Sequence, residues 1–479
     1  MGKGIIRKQT TANKRKFALI LLLFIFIMQL SYTLNNLSIQ GYTFINSYTI
    51  IHNDNNELYG PSENLIKNGF YSIDNITPYT DRIPGITAVY LPLRFIFNQN
   101  TSFTILTLIP LATYIAIVII LFNYLFSKVN LRFAFLTILA LLVLTPYSSF
   151  PQTSPEGHAT VYTMIAFLFL FRVFKLNARL RYFWSGFFFM LAVTFRGYLL
   201  PAMLAVSGSI FIIELYTNNP KRASILFLLF ILPLSFYLGI WSIRNYITTS
   251  EVIILQKANR PSTSPYKQSI QTTKSTFKQM GFETVEFYPN SPINYIMGRD
   301  SLAPENFNTI ALSFGIDKAK IDSLRTTIKK SFLSTDEILE QRIISINLEL
   351  QNTIKANTPL AKRLIIIPIK NFYRAYSFNF TSGWGLPSWS NANPIEKSYR
   401  LLIWLTFHVV MLYSVFISAY SIAKKQNYEI SFLWLSWLAA MFFSYTFLIN
   451  QIEFKYFLTL FPLSVIVSSL LTINFVKSN

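Results

Sequence analysis

Ten apolar runs, each close to the length needed to cross a lipid bilayer, punctuate this chain. They fall at 17–36, 102–126, 132–148, 158–174, 182–197, 199–215, 223–241, 399–422, 429–449 and 457–475. A spanning helix needs about 20 mainly apolar residues, because every backbone polar group must be satisfied within the segment once it leaves water. With 52% hydrophobic and 13% charged residues in 479, the composition fits a polytopic membrane protein and not a soluble globular chain. The fold class expected is all-α, with about ten transmembrane helices. The runs at 182–197 and 199–215 are parted only by Gly197 and Tyr198.

Lys and Arg in the short connections set the orientation. Lys3, Arg7, Lys8, Lys14, Arg15 and Lys16 precede the first run. The connections carrying Lys128/Arg132, Lys175/Arg179/Arg181, Lys221/Arg222, Lys424/Lys425 and the terminal Lys477 then recur on the same side. The positive-inside rule makes that side cytoplasmic, with both termini inside. No small-residue cleavage site follows the first run, so it reads as a retained helix. Much of the net charge of +21 therefore sets topology and meets anionic lipid, and no nucleic-acid partner is expected. The chain has no Cys and three His, which excludes disulfides, a thiol nucleophile and Cys-ligated zinc, and argues against a His-rich metal site.

The domain order expected is a basic N-terminus 1–16, a seven-helix membrane module 17–249 with an outer loop 37–101, an extracytoplasmic domain 250–398, and a three-helix module 399–479. Within the outer loop, Pro61 and Gly69 bracket a short helix over 60–69, and Pro84 to Phe97 reads as an interfacial helix. The extracytoplasmic domain opens with a polar loop, Lys257 to Lys278. Apolar residues then recur at helical spacing (Ile338, Leu339, Ile343, Ile346, Leu350), so the domain is expected to be mainly helical. An aromatic loop from Phe378 to Trp389 returns the chain to the membrane.

Ionisable residues gather at the outer connections: Asp54, Glu57, Glu63, Asp81 and Arg82; then Glu156 and His158; Arg196; Arg244 with Asn245; and Glu453 with Lys455. Each has a structural alternative. Glu156 and His158 suit the first turn of a helix, Arg196 and Arg244 suit interfacial anchors, Asp81-Arg82 suits a turn, and Glu453 suits a surface pair with Lys455. A transporter or flippase would place such groups at mid-membrane, where Glu214 is the main example. An O-antigen-type polymerase would favour Arg in a large late loop.

The block Asp54-Asn55-Asn56-Glu57-Leu58-Tyr59-Gly60-Pro61-Ser62-Glu63-Asn64-Leu65-Ile66-Lys67-Asn68-Gly69, followed by Asp81-Arg82-Ile83-Pro84-Gly85, resembles the first outer loop of the GT-C glycosyltransferases, in the branch of protein O-mannosyltransferase-like and aminoarabinose-to-lipid-A transferase-like enzymes. Trp241-Ser242-Ile243-Arg244-Asn245-Tyr246 and Glu453-Phe454-Lys455-Tyr456 are similar to further elements of that pattern. The resemblance covers most of the membrane part and none of the 250–398 domain. It implies an inverting transferase that moves a sugar from a polyprenyl-phosphate donor to a lipid, glycan or protein acceptor at the outer face of a bacterial plasma membrane. It also implies Asp54 as the catalytic base and Arg244 as the first donor-phosphate ligand, followed by Arg82, Arg196 and Lys455. Glu57, Tyr59, Asp81, Glu156, His158, Asn245 and Glu453 are further site candidates. Two departures stand out. Asn55 replaces the second of two adjacent acids, so a divalent metal ion is left open as cofactor, with Asp54 and Glu156 as the carboxylates that would hold it. Lys455 stands where Arg is common.

Overall fold

The computed structural model describes residues 2–51, 55–80, 83–255, 268–282, 292–332, 337–378, 386, 392–449 and 459–478. Among them the chain is all α-helical, with strand pairing limited to isolated bridges at Ile50. Helices fall at all ten apolar runs: α1 (Gly2–Ile39), α4 (Gln99–Lys128), α5 (Leu131–Leu144), α6 (Glu156–Leu170), α7 (Ala178–Phe195), α8 (Leu200–Thr217), α9 (Pro220–Thr249), α16 (Pro394–Ala423), α17 (Tyr428–Phe443) and α18 (Leu460–Ser478). Among the described residues six segments are long and apolar enough to cross a membrane: Asn13–Ile39, Gln99–Lys128, Gly197–Thr217, Pro220–Thr249, Pro394–Ala423 and Tyr428–Phe447. The 14 residues of α5 rise only about 21 Å at 1.5 Å per residue, which is why it falls short of that criterion.

Asparagine starts many of these helices. Asn98, Asn130, Asn177 and Asn219 each accept a backbone N–H of the following first turn, and Asn393 forms a reciprocal capping box with Glu396. An Asn at this position satisfies a donor that would otherwise have no partner, a contribution of about 1 kcal/mol. The connection between α7 and α8 is a break in helical backbone. Arg196 is extended (φ −139°, ψ 94°) and a 3₁₀ turn over Gly197–Leu199 follows.

The chain divides into two compact units. The first comprises Met1–Gln256, Phe380–Met441 and Phe454–Asn479. Its α6, α7 and α9 pack closely around Phe167, Phe189, Phe230 and Trp437, whose rings meet at centroid distances of 5.3–5.7 Å. Gly186 permits the closest approach: a Cβ there would lie 1.9 Å from the Phe230 carbonyl oxygen. Small residues at helix crossings do this work in membranes, where burial against lipid gives no hydrophobic gain.

The second unit, Lys257–Asn379 with Phe442–Glu453, is a helical domain of α10 (Gln268–Gln279), α11 (Pro292–Ile296), α12 (Phe307–Leu312), α13 (Lys318–Phe332), α14 (Glu337–Asn357) and α15 (Ile367–Phe378). Phe277, Phe282, Phe307, Ile321, Leu324 and Ile328 build its core. From α14, Ile343 and Leu350 enter that core, Ile346 packs at its edge, and Ile338 faces outward.

Three local expectations are corrected. The helix expected over 60–69 is α2 (Asn55–Asn68), so Pro61 lies inside it, not at its start; Gly69 ends it in the left-handed conformation (φ +72°) as a C-terminal glycine does. The polar loop expected over 257–278 contains α10, whose apolar Ile270 and Phe277 are a helical interval apart and buried. The seventh run continues to Thr249, so Arg244 and Asn245 belong to the last turns of α9 and do not follow it. The segment read as interfacial is α3 (Gly85–Ile96), with Ile86 and Tyr90 buried and Phe95 and Ile96 exposed. The aromatic loop from Phe378 to Trp389 lies largely outside the described residues.

Candidate functional site at the loop-bearing end of the first unit

Two connections expected on the outer face are tied together by backbone. Ile50 donates to the Pro151 carbonyl at 2.8 Å, and Thr153 donates to the Ile50 carbonyl at 2.9 Å. Tyr59 of α2 reaches the same strip, its hydroxyl donating to the Thr153 carbonyl at 2.8 Å. Its ring meets Tyr90 and Phe103 edge-on at 4.7 and 4.9 Å. Burial pushes the Tyr59 phenol well above its usual range, Tyr90 and Glu156 push the same way, and Arg196 opposes them. Tyr59 is thus a neutral, buried strut.

Glu156 occupies the first turn of α6 and is buried. Its Oε1 accepts from the Arg196 guanidinium in an ion pair that is 13% and 5% exposed on the two side chains. The extended backbone at Arg196 lets the side chain leave the end of α7 and meet the start of α6. Gly157 lets the start of α6 lie against the turn at Ser149, since a Cβ there would stand 2.8 Å from the Ser149 carbonyl oxygen. His158 points away from this pair into the bundle. Its Nε2 lies 3.0 Å from the Leu106 carbonyl, Nδ1 lies 3.4 Å from the Tyr162 hydroxyl, and the ring stacks on Phe195 at 4.6 Å. These contacts join α4, α6 and α7, a packing role.

Arg244 is placed differently. From the last turns of α9 its Nη1 donates to the Tyr79 carbonyl at 2.8 Å and to Asn245 Oδ1 at 2.9 Å, and its Nη2 lies 3.4 Å from the Tyr71 carbonyl. The guanidinium carbon sits 5.3 Å from the Tyr71 ring centroid and 5.1 Å from that of Trp241. No carboxylate lies within ion-pair distance of it among the described residues. Asn245 is buried and donates to the Ile253 carbonyl at 2.8 Å, which closes the turn after α9. Burial pushes the Tyr71 phenol up to about 12, opposed by its bond with Thr87 and by the Arg244 charge. Carbonyls and ring faces orient the cation without neutralising it.

The loop that carries Tyr71 and Tyr79 is fixed at its far end by Gly85. A Cβ at Gly85 would stand 2.3 Å from the Thr194 carbonyl, so α3 lies directly on the last turn of α7, next to Arg196. Tyr71 and Tyr79 on one side and Gly85 on the other thereby touch the helix ends that carry Arg244 and Arg196. Asp54, Asp81, Arg82, Glu453 and Lys455 lie outside the described residues; Asp81 and Arg82 fall between Tyr79 and Gly85, and Asp54 falls between Ile51 and Asn55. Glu57 is half-buried in the first turn of α2.

Sequence reasoning named Glu63 among the ionisable residues but not its partners, and passed over the residues that frame Arg244. Glu63 is buried and accepts from Tyr90 at 2.6 Å and Arg94 Nε at 2.8 Å, which locks α2 to α3. Tyr71, Tyr79 and Trp241 frame Arg244; only Trp241, three residues before it on one helix face, carried a local signal. Glu156, named with Asp54 as a carboxylate that would hold a metal ion, is engaged through Oε1 by the Arg196 guanidinium, and Asp54 lies outside the described residues. Among the described residues no group of three His, Asp or Glu side chains is placed to hold a metal ion. Compared with known proteins, the chain matches no family model, no curated sequence and no solved structure.

Proposed function

We propose that this chain is a ten-span, GT-C-like membrane glycosyltransferase that moves a sugar from a polyprenyl-phosphate carrier to an acceptor at the outer face of a plasma membrane. Both termini are then cytoplasmic. The observation that supports this reading most is Arg244, a half-buried guanidinium held by the carbonyls of Tyr71 and Tyr79 with no described carboxylate beside it. A cation oriented by carbonyls, with no counterion among the described residues, is suited to a phosphate oxygen.

In this reading an acceptor hydroxyl oxygen attacks the sugar C1 as the bond from C1 to the phosphate oxygen breaks. The hydroxyl proton passes to the Asp54 carboxylate. Polyprenyl phosphate leaves with the bonding pair, its growing charge met by Arg244. Arg196 already holds Glu156 and serves to fix α6 and α7 beneath the site. Arg82 and Lys455 stay in the proposal as further cations.

The transporter alternative draws less support. Glu214, the in-span acid, accepts from Tyr182 at 2.9 Å and Asn218 at 2.8 Å, with Arg222 Nε 3.5 Å away. A carboxylate so fully engaged holds helices together.

The test is sugar transfer by the purified protein in lipid vesicles, with a panel of radiolabelled polyprenyl-phosphate sugars and a cell-envelope extract as acceptor. Donor-dependent incorporation that is lost in Asp54→Asn at unchanged protein level is the expected result. Transfer that persists in Asp54→Asn removes Asp54 as base. Donor-independent solute movement in place of transfer overturns the reading.

A further inference from the structure

The second unit carries an apolar surface that its own core does not use. After α14 the chain makes a π-helical turn over Lys362–Ile366 and continues directly into α15. Leu360, Leu364, Ile365, Ile366, Ile369 and Tyr373 are each at least half exposed. From the last π-helical residue into α15, Ile366, Ile369 and Tyr373 recur at i, i+3 and i+7, so they share one face. The opposite face is spoken for. Ile367 is buried against Gly281, and Asn371 donates to the Lys278 carbonyl at 3.3 Å.

One neighbour of α15 identifies the medium. α15 packs along the π-helical segment Ser444–Ile449, and the Phe372 ring lies 5.3 Å from that of Phe442. Residues 442–447 close the membrane-crossing segment Tyr428–Phe447, and Phe443 and Phe447 are themselves exposed. An exposed row of Leu and Ile thus lies beside the end of a segment long and apolar enough to cross a membrane. The exposed Lys370 and Tyr373 on α15 are the residue types that sit at the headgroup boundary.

We infer that 360–373 is a membrane-surface anchor, with its apolar face in the acyl-chain boundary of the bilayer that α17 crosses. A patch of six large apolar residues on a water-exposed domain marks an interaction surface, and a helix of this pattern partitions into the interface plane. The anchor holds the second unit down on the lipid.

The absence of native Cys makes site-directed labelling direct. Single substitutions Ile365→Cys, Ile366→Cys, Ile369→Cys and, as an aqueous reference on α14, Leu348→Cys are spin-labelled in the full chain. The chain is reconstituted in phosphatidylethanolamine and phosphatidylglycerol vesicles, and collision with oxygen and with a neutral nickel chelate is measured. All four positions are exposed, so the labels leave the core intact, and any one α15 position that folds suffices. Labels on α15 are expected to collide more with oxygen than with nickel, and the label at 348 the reverse. Nickel collision on α15 equal to that at 348 overturns the anchor in favour of a water-facing surface. Low collision with both reagents overturns it in favour of a protein partner or a second copy.

Discussion

The two ends of the first unit bury charge under different rules. At the end with the basic connections, acid and cations share clusters. Glu214 is met by Tyr182, Asn218 and Arg222, Arg181 lies over the Tyr182 ring at 4.8 Å, and Arg172 pairs with Glu429. The loop-bearing end repeats that pattern in Glu156 with Arg196 and in Glu63 with Arg94. It then adds Arg244, which has carbonyls and aromatic faces but no described acid. Burying a charge is costly unless it is paired. Acid–base pairs therefore tie helices together at both ends, whereas Arg244 is oriented by the Tyr71 and Tyr79 carbonyls, and it is this residue that the proposed function assigns to an anion from outside.

The largest expected effect comes from breaking a pair at the loop-bearing end. Glu156→Ala leaves the Arg196 guanidinium buried without this carboxylate and is expected to cost about 3–5 kcal/mol, measured as unfolding in detergent. Glu156→Ala with Arg196→Met should recover much of that loss, because the uncompensated charge is gone. A double variant no more stable than Glu156→Ala would show that the cation was not the source of the cost. Next comes Arg244. Arg244→Ala should lower donor-dependent sugar transfer by roughly 10²–10³-fold, the scale for removing one preorganised donor from developing charge, with a far smaller change in unfolding than Glu156→Ala. Arg244→Lys keeps the charge and loses the planar fork, so its rate should fall between the two. An Arg244→Ala protein that unfolds as readily as Glu156→Ala would erase the distinction between the ends.

A smaller change is expected at the basic end. Glu214→Gln keeps an acceptor for Tyr182 and loses the charged partner of Arg222; a cost of about 1 kcal/mol with unchanged transfer is the outcome that fits a structural cluster. Loss of transfer at unchanged stability would make Glu214 functional and reverse the comparison.

How much of this could be read from the residues follows from the range of the interactions. The helices were legible because a spanning segment must be apolar along its whole length; their starts were not, because the capping Asn98, Asn130, Asn177, Asn219 and Asn393, each accepting from an amide three residues on, lie ahead of the apolar runs. α2 was placed late because Pro61 matches a helix start in isolation, whereas the packing of Leu58 and Tyr59 holds the turn before it. α10 was taken for a loop because its polar face outweighs Ile270 and Phe277 in composition. At the site, the ionisable residues were visible as a set, but their roles were not. Glu156 meets Arg196 across forty positions and Arg244 meets Tyr71 and Tyr79 across more than 160. No local pattern distinguishes a paired arginine from an unpaired one.

The smallest effect tests how Arg244 is aimed. Tyr71 and Tyr79, whose carbonyls hold Arg244, bracket a turn organised by Asp74, which accepts from the Ile76 and Thr77 amides at 2.9 and 2.8 Å and from the Ser72 and Thr77 hydroxyls at 2.7 and 2.8 Å. Burial works to raise the Asp74 carboxyl, but these four donors outweigh it and hold the group below the usual carboxylate range. A carboxylate lowered on folding contributes stability above its unfolded value, near 3.9, and loses it as pH falls through the folded value. Hydrogen-exchange protection of the Ile76 and Thr77 amides should therefore be constant from pH 7 to pH 5 and decline only below about pH 4. Asp74→Asn should lower protection at neutral pH and abolish the acid dependence. If the turn aims the Tyr79 carbonyl at Arg244, Asp74→Asn also slows transfer by much less than Arg244→Ala does; a turn that loosens without touching the rate would mean that α9 alone orients the guanidinium.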